Sequence, residues 1–117
     1  MKVNPFFLLI SFAVASLAGY GFFAANSGKT YQLLLTIGAG FLIFITFSGM
    51  VAIQSAGGRG SVSNIRVLSM VFFVISIIIN IIFSFITLGS PASYIITNGI
   101  LFLIYILIVY SIIRALE

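Results

Sequence analysis

The chain has no histidine, cysteine, aspartate or tryptophan, and its single acidic residue is Glu117. Metal sites depend on imidazole, thiolate or clustered carboxylate ligands. Acid–base and nucleophilic catalysis need a positioned acid, base or activated nucleophile. The sequence therefore predicts a protein that is not an enzyme and that holds no metal and no cofactor.

Charge of either sign is also scarce. Charged residues make up 5% of the 117 positions and apolar ones 62%, whereas soluble domains are roughly a quarter charged. This composition predicts an integral membrane protein in contact with a lipid bilayer. The net charge of +4 comes from basic residues at the ends of apolar runs, not from a cluster, so we expect no nucleic-acid partner.

Four apolar runs are long enough to span a membrane. A span needs about 20 residues to cover a hydrocarbon core of roughly 30 Å, and residues 5–25, 31–53, 65–88 and 91–114 meet that requirement. Residues 54–64, rich in glycine and serine, are the longest connection and read as a solvent-facing loop. We predict an all-α membrane protein of one domain, with four helices in an antiparallel up-down bundle.

Helix-end signals support these boundaries. Asn4 and Pro5 supply an N-cap residue and a first-turn proline for the first helix. Gly89 is a C-cap signal for the third helix, and Ser90-Pro91 directly follows as a start signal for the fourth. Helices three and four should therefore form a tight antiparallel hairpin.

The first apolar run has an alternative interpretation. A lysine near the start, an apolar stretch and small residues up to Ala18 also resemble a secretory signal peptide. Apolar residues continue from Gly19 to Ala25, so we interpret the run as a retained membrane helix.

The basic residues predict the orientation. With four spans, Lys2, Arg59, Arg66 and Arg114 share one side of the membrane, and Lys29 is on the other. Positively charged loops stay in the cytoplasm. We therefore expect both termini to be cytoplasmic, in what is best read as a bacterial cytoplasmic membrane.

Polar side chains follow one face of each of the last two helices. On the third helix they fall within an arc of about 80°, and on the fourth within about 100°. Counted from a turn at residues 89 and 90, Asn80 and Asn98 differ in height by only about 1.5 Å, so we predict that they approach each other. Such residues either form interhelical hydrogen bonds or line a polar site. The candidates are Ser76, Asn80, Ser84, Thr87, Asn98 and Tyr105. Ser69, Tyr94 and Thr97 share these faces, although Tyr94, like Tyr31 and Tyr110, also suits a lipid-interface anchor near a span end.

Small residues mark helix-packing faces on the first two helices. Backbones approach closely at such positions in membrane bundles, and the face is offered either to a neighbouring helix or to a second subunit. The candidates are Ser11, Ala15, Gly19, Gly38, Gly40 and Gly49. At the predicted cytoplasmic surface, Arg59, Arg66 and Arg114 are candidates for contacts with anionic lipid headgroups.

Three functional interpretations remain open. The first is an accessory or structural membrane subunit that packs against another membrane protein or against itself as a homo-oligomer. The second is a small oligomeric channel or transporter for a neutral or weakly hydrated solute, and the third, which no residue selects, is an immunity protein against a membrane-acting toxin. Proton coupling within the chain is not expected, because proton relays use Asp, Glu or His inside the membrane.

Overall fold

The computed structural model describes residues 2–55, 61–86 and 91–115. Helices of 21, 20, 24 and 24 residues dominate it, and each contains a stretch long and apolar enough to cross a membrane. The protein is thus an all-α integral membrane protein, apart from two very short strands. The elements are β1 (Lys2–Val3), α1 (Pro5–Ala25), α2 (Gln32–Val51), β2 (Ile53–Ser55), α3 (Ser61–Ser84) and α4 (Ala92–Ala115).

The helices form a flattened antiparallel bundle in which α3 and α4 are the predicted hairpin. Helix α2 packs against α1 and α3, and α4 packs mainly against α3. The Cα atoms extend over 47 × 26 × 15 Å, so the bundle is wider than it is deep. Helices spaced about 8–10 Å apart produce this shape when they lie closer to a row than to a square. Of the apolar membrane-spanning stretch of α2, 33% is buried inside the bundle, compared with 11% of the corresponding stretch of α4. Helix α2 is therefore central, and α4 is the helix most open to its surroundings.

Helix α1 has the predicted start. The Asn4 side chain accepts a hydrogen bond from the backbone N–H of Phe6 at 2.9 Å, and Pro5 occupies the first turn. Its small-residue face, formed by Ser11, Ala15 and Gly19, is buried. The neighbours of this face belong to α2: a Cβ added at Gly40 would lie 3.8 Å from the Ala15 carbonyl oxygen.

The second helix is shorter than predicted. It ends at Val51, and Ile53–Ser55 pairs as a strand antiparallel to Lys2–Val3. The backbone N–H of Asn4 continues this pairing with a 2.8 Å bond to the Ala52 carbonyl. The chain leaves the helix here because Ile53 is buried against Ile65 of α3. The strand pair places the start of the chain beside β2, at the same end of the bundle.

The third helix lies four residues earlier than the predicted 65–88. It begins at Ser61 because Val62, within the expected loop, packs on the buried pair Ile53 and Ile65. It ends at Ser84, whose carbonyl oxygen accepts a hydrogen bond from Lys29 instead of continuing the helix. The predicted signals at Gly89 and Ser90 and the candidate Thr87 lie outside the described residues.

Helix α4 starts at Ala92 and ends at Ala115, one residue later at each end than predicted. The Pro91 carbonyl accepts the backbone N–H of Ile95 at 3.0 Å. Pro91 is thus the residue before the helix, not its first member.

Candidate functional site

The polar faces of α3 and α4 meet inside the bundle. Their side chains are almost fully enclosed: the exposed fraction is 2% for Asn80 and 8% for Asn98. The predicted approach of these two residues is present, with Asn80 Nδ2 donating to Asn98 Oδ1 at 3.3 Å. Ser69, Ser76, Tyr94 and Tyr105 are also buried on this surface.

One group of these residues, which we call the Tyr94 layer, links three helices. It consists of Tyr94, Asn80, Asn98, Gly38 and the Leu35 backbone. The Tyr94 hydroxyl lies 2.6 Å from Asn80 Oδ1 and 3.0 Å from the Leu35 carbonyl oxygen. A hydroxyl has one proton to donate, so two acceptors on different helices share it. Tyr94 is therefore a buried bridge and not the lipid-interface anchor that its sequence position suggested.

Gly38 leaves the space that Tyr94 occupies. A Cβ added at Gly38 would lie 2.5 Å from the Tyr94 hydroxyl oxygen and 2.8 Å from its ring. Because contacts this short are repulsive, any side chain at position 38 would displace the tyrosine. The glycine that the sequence marked as a packing residue thus seats a specific side chain of α4.

A second group, which we call the Tyr105 layer, repeats this arrangement near the other end of the helices. It consists of Tyr105, Ser69 and Gly49. The Tyr105 hydroxyl lies 2.5 Å from Ser69 Oγ, and a Cβ added at Gly49 would collide with both oxygens. Here too, a glycine of α2 faces a tyrosine of α4 that binds a polar residue of α3.

The repeat has a period of eleven residues on every helix involved. Gly38 and Gly49 are eleven apart, and the same interval separates Ser69 from Asn80 and Tyr94 from Tyr105. Each tyrosine ring also packs edge-on against a phenylalanine of α3, at 5.1 Å and 5.4 Å between ring centres. Eleven residues are close to three full turns, so the two layers lie on the same helix faces about 16 Å apart. The phenylalanines are Phe83 and Phe72.

Three more residues join the end of α3 to the connection between α1 and α2; we call them the Lys29 cluster. Asn26 is fully buried, and its Nδ2 donates to the Phe22 carbonyl at 2.8 Å and to Ser84 Oγ at 3.1 Å. Lys29 Nζ donates to Asn26 Oδ1 at 3.0 Å and also to the Ser84 carbonyl. A cation at this position donates hydrogen bonds to carbonyl oxygens that have no partner within the helix. It is also attracted by the partial negative charge at the end of the helix. Ser84 thus belongs to this cluster and not with Asn98.

Ser76 lies between the two layers without sharing their bonds. It is 1% exposed, and its hydroxyl has no hydrogen-bond partner among the described residues. Thr46 of α2, also buried, donates to the Leu42 carbonyl of its own helix at 2.7 Å. The bundle interior therefore offers neutral hydroxyls and amides, most of them already bonded.

Two of the three arginine candidates are described, and Arg59 lies outside the described residues. Arg66 is exposed and donates to the Ile53 carbonyl oxygen at 3.2 Å. The guanidinium of Arg114 lies 5.8 Å from the centre of the Tyr110 ring. Both are at the end of the bundle that carries β1 and β2, where they are open to contact with headgroups.

Ser69 and Tyr94 were predicted to lie on the polar faces but were not among the predicted site residues, and no role was predicted for Asn26. The equal spacing of two glycines, two polar residues and two tyrosines on successive helices was a usable signal for the first two. Asn26 had no such signal, because its partner Ser84 is distant in sequence.

Among the described residues, no three His, Cys, Asp or Glu side chains gather where a metal ion could bind. No family model matches the chain, and no curated protein or solved structure is significantly similar to it.

Proposed function

We propose that this integral membrane protein is an accessory subunit without catalytic activity, and that it packs against a partner membrane protein through α4. The observation that carries the proposal is the use of its polar side chains. The buried ones of α3 and α4 bind one another or α2. Interhelical bonds of this kind hold membrane helices together, which leaves the outer faces of the bundle for recognition.

The open side of α4 supports an interface there. A groove of about 200 Å³ lies between α2 and α4, with Gly38, Asn98 and Gly99 among its lining residues. A Cβ added at Gly99 would meet nothing within 4 Å. Because glycine lets two helix backbones approach closely, this groove suits a transmembrane helix of another protein.

Purification in a mild detergent, with mass spectrometry of the associated proteins, tests the proposal. We expect a stoichiometric larger membrane protein with the wild-type chain and its loss with Gly99→Leu, which fills the groove. Ala13→Leu, on an exposed position of α1, is the matched control and should retain the partner. A homo-oligomer lost in Gly99→Leu would make a second copy the occupant; a monomer in all three samples would contradict the proposal.

We also propose that both termini face the cytoplasm of a bacterial cell. Lys2, Arg66 and Arg114 lie at one end of the bundle and Lys29 at the other, and basic residues favour the cytoplasmic side. The cysteine-free chain allows single-cysteine labelling in intact cells. An impermeant thiol reagent should modify Ser27→Cys and spare Ser63→Cys; the reverse pattern would contradict this orientation.

Transport of a neutral solute in an oligomer is the second candidate. The observation that favours it is the buried hydroxyl of Ser76, which has no hydrogen-bond partner within the described part of the chain, since polar groups inside membranes often line solute paths. Liposomes containing the protein should then show flux of a small neutral solute, and Ser76→Ala should reduce that flux. Equal flux with and without the protein would remove this candidate.

A further inference from the structure

We propose that a groove between α1 and α3 binds an acyl chain of an anionic glycerophospholipid whose phosphate contacts Lys29. The groove has a volume of about 330 Å³ and is formed by α1 and α3, whereas the groove proposed for a partner helix lies between α2 and α4. It is lined by Ala18, Gly21, Phe22, Ala25, Ile81 and Phe85, together with Ser84.

The position of the groove determines what can fill it. Both helices that form it span the membrane, so it opens to lipid and not to water along most of its length. Small residues of α1 form its floor, and a Cβ added at Gly21 would meet nothing within 4 Å. An apolar, membrane-facing channel of this kind fits a flexible hydrocarbon chain.

The polar end of the groove specifies the headgroup. Ser84, at this end, accepts a hydrogen bond from Lys29 through its carbonyl oxygen and one from Asn26 through its hydroxyl. The ammonium of Lys29 uses two of its three donors on Ser84 and Asn26. The third donor of this positively charged group has no partner among the described residues.

No carboxylate among the described residues balances this charge, because the only acidic residue in the sequence, Glu117, lies outside them. A half-buried cation above an apolar groove is complementary to a lipid phosphate above its acyl chain. Basic residues near a membrane surface attract anionic lipids.

Quenching of tryptophan fluorescence by brominated lipids gives a local test, because the chain has no tryptophan of its own. Phe85→Trp places a reporter on the groove wall, and Ile96→Trp places one on an exposed position of α4 near the same end. The protein is reconstituted in mixed vesicles of phosphatidylcholine and phosphatidylglycerol, with one lipid brominated at a time. We expect about a fivefold preference for phosphatidylglycerol at the groove reporter and none at the α4 reporter.

Two further substitutions distinguish the contribution of the lipid headgroup from that of its acyl chain. In the Phe85→Trp background, Lys29→Gln should abolish the preference by removing the charge. Gly21→Leu should abolish it by filling the groove while keeping Lys29 and its bonds, so the test survives if Lys29→Gln fails to fold. An equal preference at both reporters, no preference at the groove reporter, or a preference that persists in Gly21→Leu would overturn the proposal.

Discussion

The Tyr94 layer and the Tyr105 layer repeat one arrangement, yet they are held in different ways. In the first, Asn80 accepts from Tyr94 and donates to Asn98, and the Leu35 carbonyl offers a second acceptor. In the second, one bond joins Ser69 to Tyr105, and both hydroxyls lie against the backbone of Gly49. The Tyr94 layer relies on several hydrogen bonds, whereas the Tyr105 layer relies on close approach.

The difference separates two forces that hold membrane helices together. Lipid is as apolar as the helix surfaces, so close packing and interhelical hydrogen bonds supply the attraction. Here the two contributions are largely divided between layers that share the same three helices. Added side-chain volume should therefore lower the free energy of unfolding most in the Tyr105 layer. Loss of a polar group should lower it most in the Tyr94 layer.

The largest expected effect is that of Gly49→Ala. Its new methyl group would collide with Ser69 and Tyr105 together, and the Ser69 Cβ lies only 3.0 Å away. We expect a loss of about 3 kcal/mol in the free energy of unfolding, at the upper end of overpacking costs, measured by steric trapping in micelles. Gly38→Ala meets only Tyr94 and should cost about 1–2 kcal/mol.

Gly99→Ala is the matched control for both glycine substitutions, because nothing lies within 4 Å of its added Cβ. It should stabilise the helix slightly, by up to about 1 kcal/mol. If Gly49→Ala were as well tolerated as Gly99→Ala, close approach would not hold the Tyr105 layer.

Asn80→Leu should have the next largest effect. It removes the contacts of Asn80 with both Tyr94 and Asn98 while keeping the branched arrangement of side-chain heavy atoms, and interhelical hydrogen bonds in membranes are worth about 0.6–2 kcal/mol. We expect a loss of about 2 kcal/mol by the same measurement. Ser69→Ala in the other layer should lose only about 0.6 kcal/mol, and equal losses would erase the distinction between the layers.

The coupling of Ser69 to Tyr105 should be small. A double-mutant cycle of Ser69→Ala with Tyr105→Phe isolates the bond between the two hydroxyls. We expect a coupling free energy of about 0.6 kcal/mol, the average for membrane interhelical bonds. The matching cycle of Asn80→Leu with Tyr94→Phe should give a larger value, and a reversed order would contradict the account.

The smallest effect, and one of opposite sign, is expected for Ser76→Ala between the layers. Removing a buried hydroxyl that no described residue bonds should leave stability unchanged or raise it by about 0.5 kcal/mol. A clear loss of stability would show that Ser76 has a partner of its own, such as a bound water.

The helices and one polar contact were predictable because local rules determine them. Apolar length identifies the spans, and a shared depth places Asn80 beside Asn98 once the hairpin is recognised. The pairing of β1 with β2 was not predictable, since two or three residues carry too little pattern and their pairing depends on how the helices bring them together. Val62 likewise joins α3 only because Ile53 is there to pack against it.

Tyr94 shows most clearly where local reading fails. Near the end of an apolar run, a tyrosine suits the lipid interface, although Tyr94 also shares a helix face with Asn98. Its burial depends on an absent side chain at Gly38, on a different helix. Such a pair becomes visible only when two helices are compared at equal depth.

The central claim is that the polar interior consists of closed packing layers, and water access to single cysteines tests it most directly. The cysteine-free chain permits Ser76→Cys, which lies between the layers, and Ser27→Cys on an exposed position. In native membranes, we predict that a small water-soluble thiol reagent modifies Ser27→Cys rapidly and Ser76→Cys not at all. Modification of Ser76→Cys at a rate close to that of Ser27→Cys would show a hydrated path through the bundle and contradict the account.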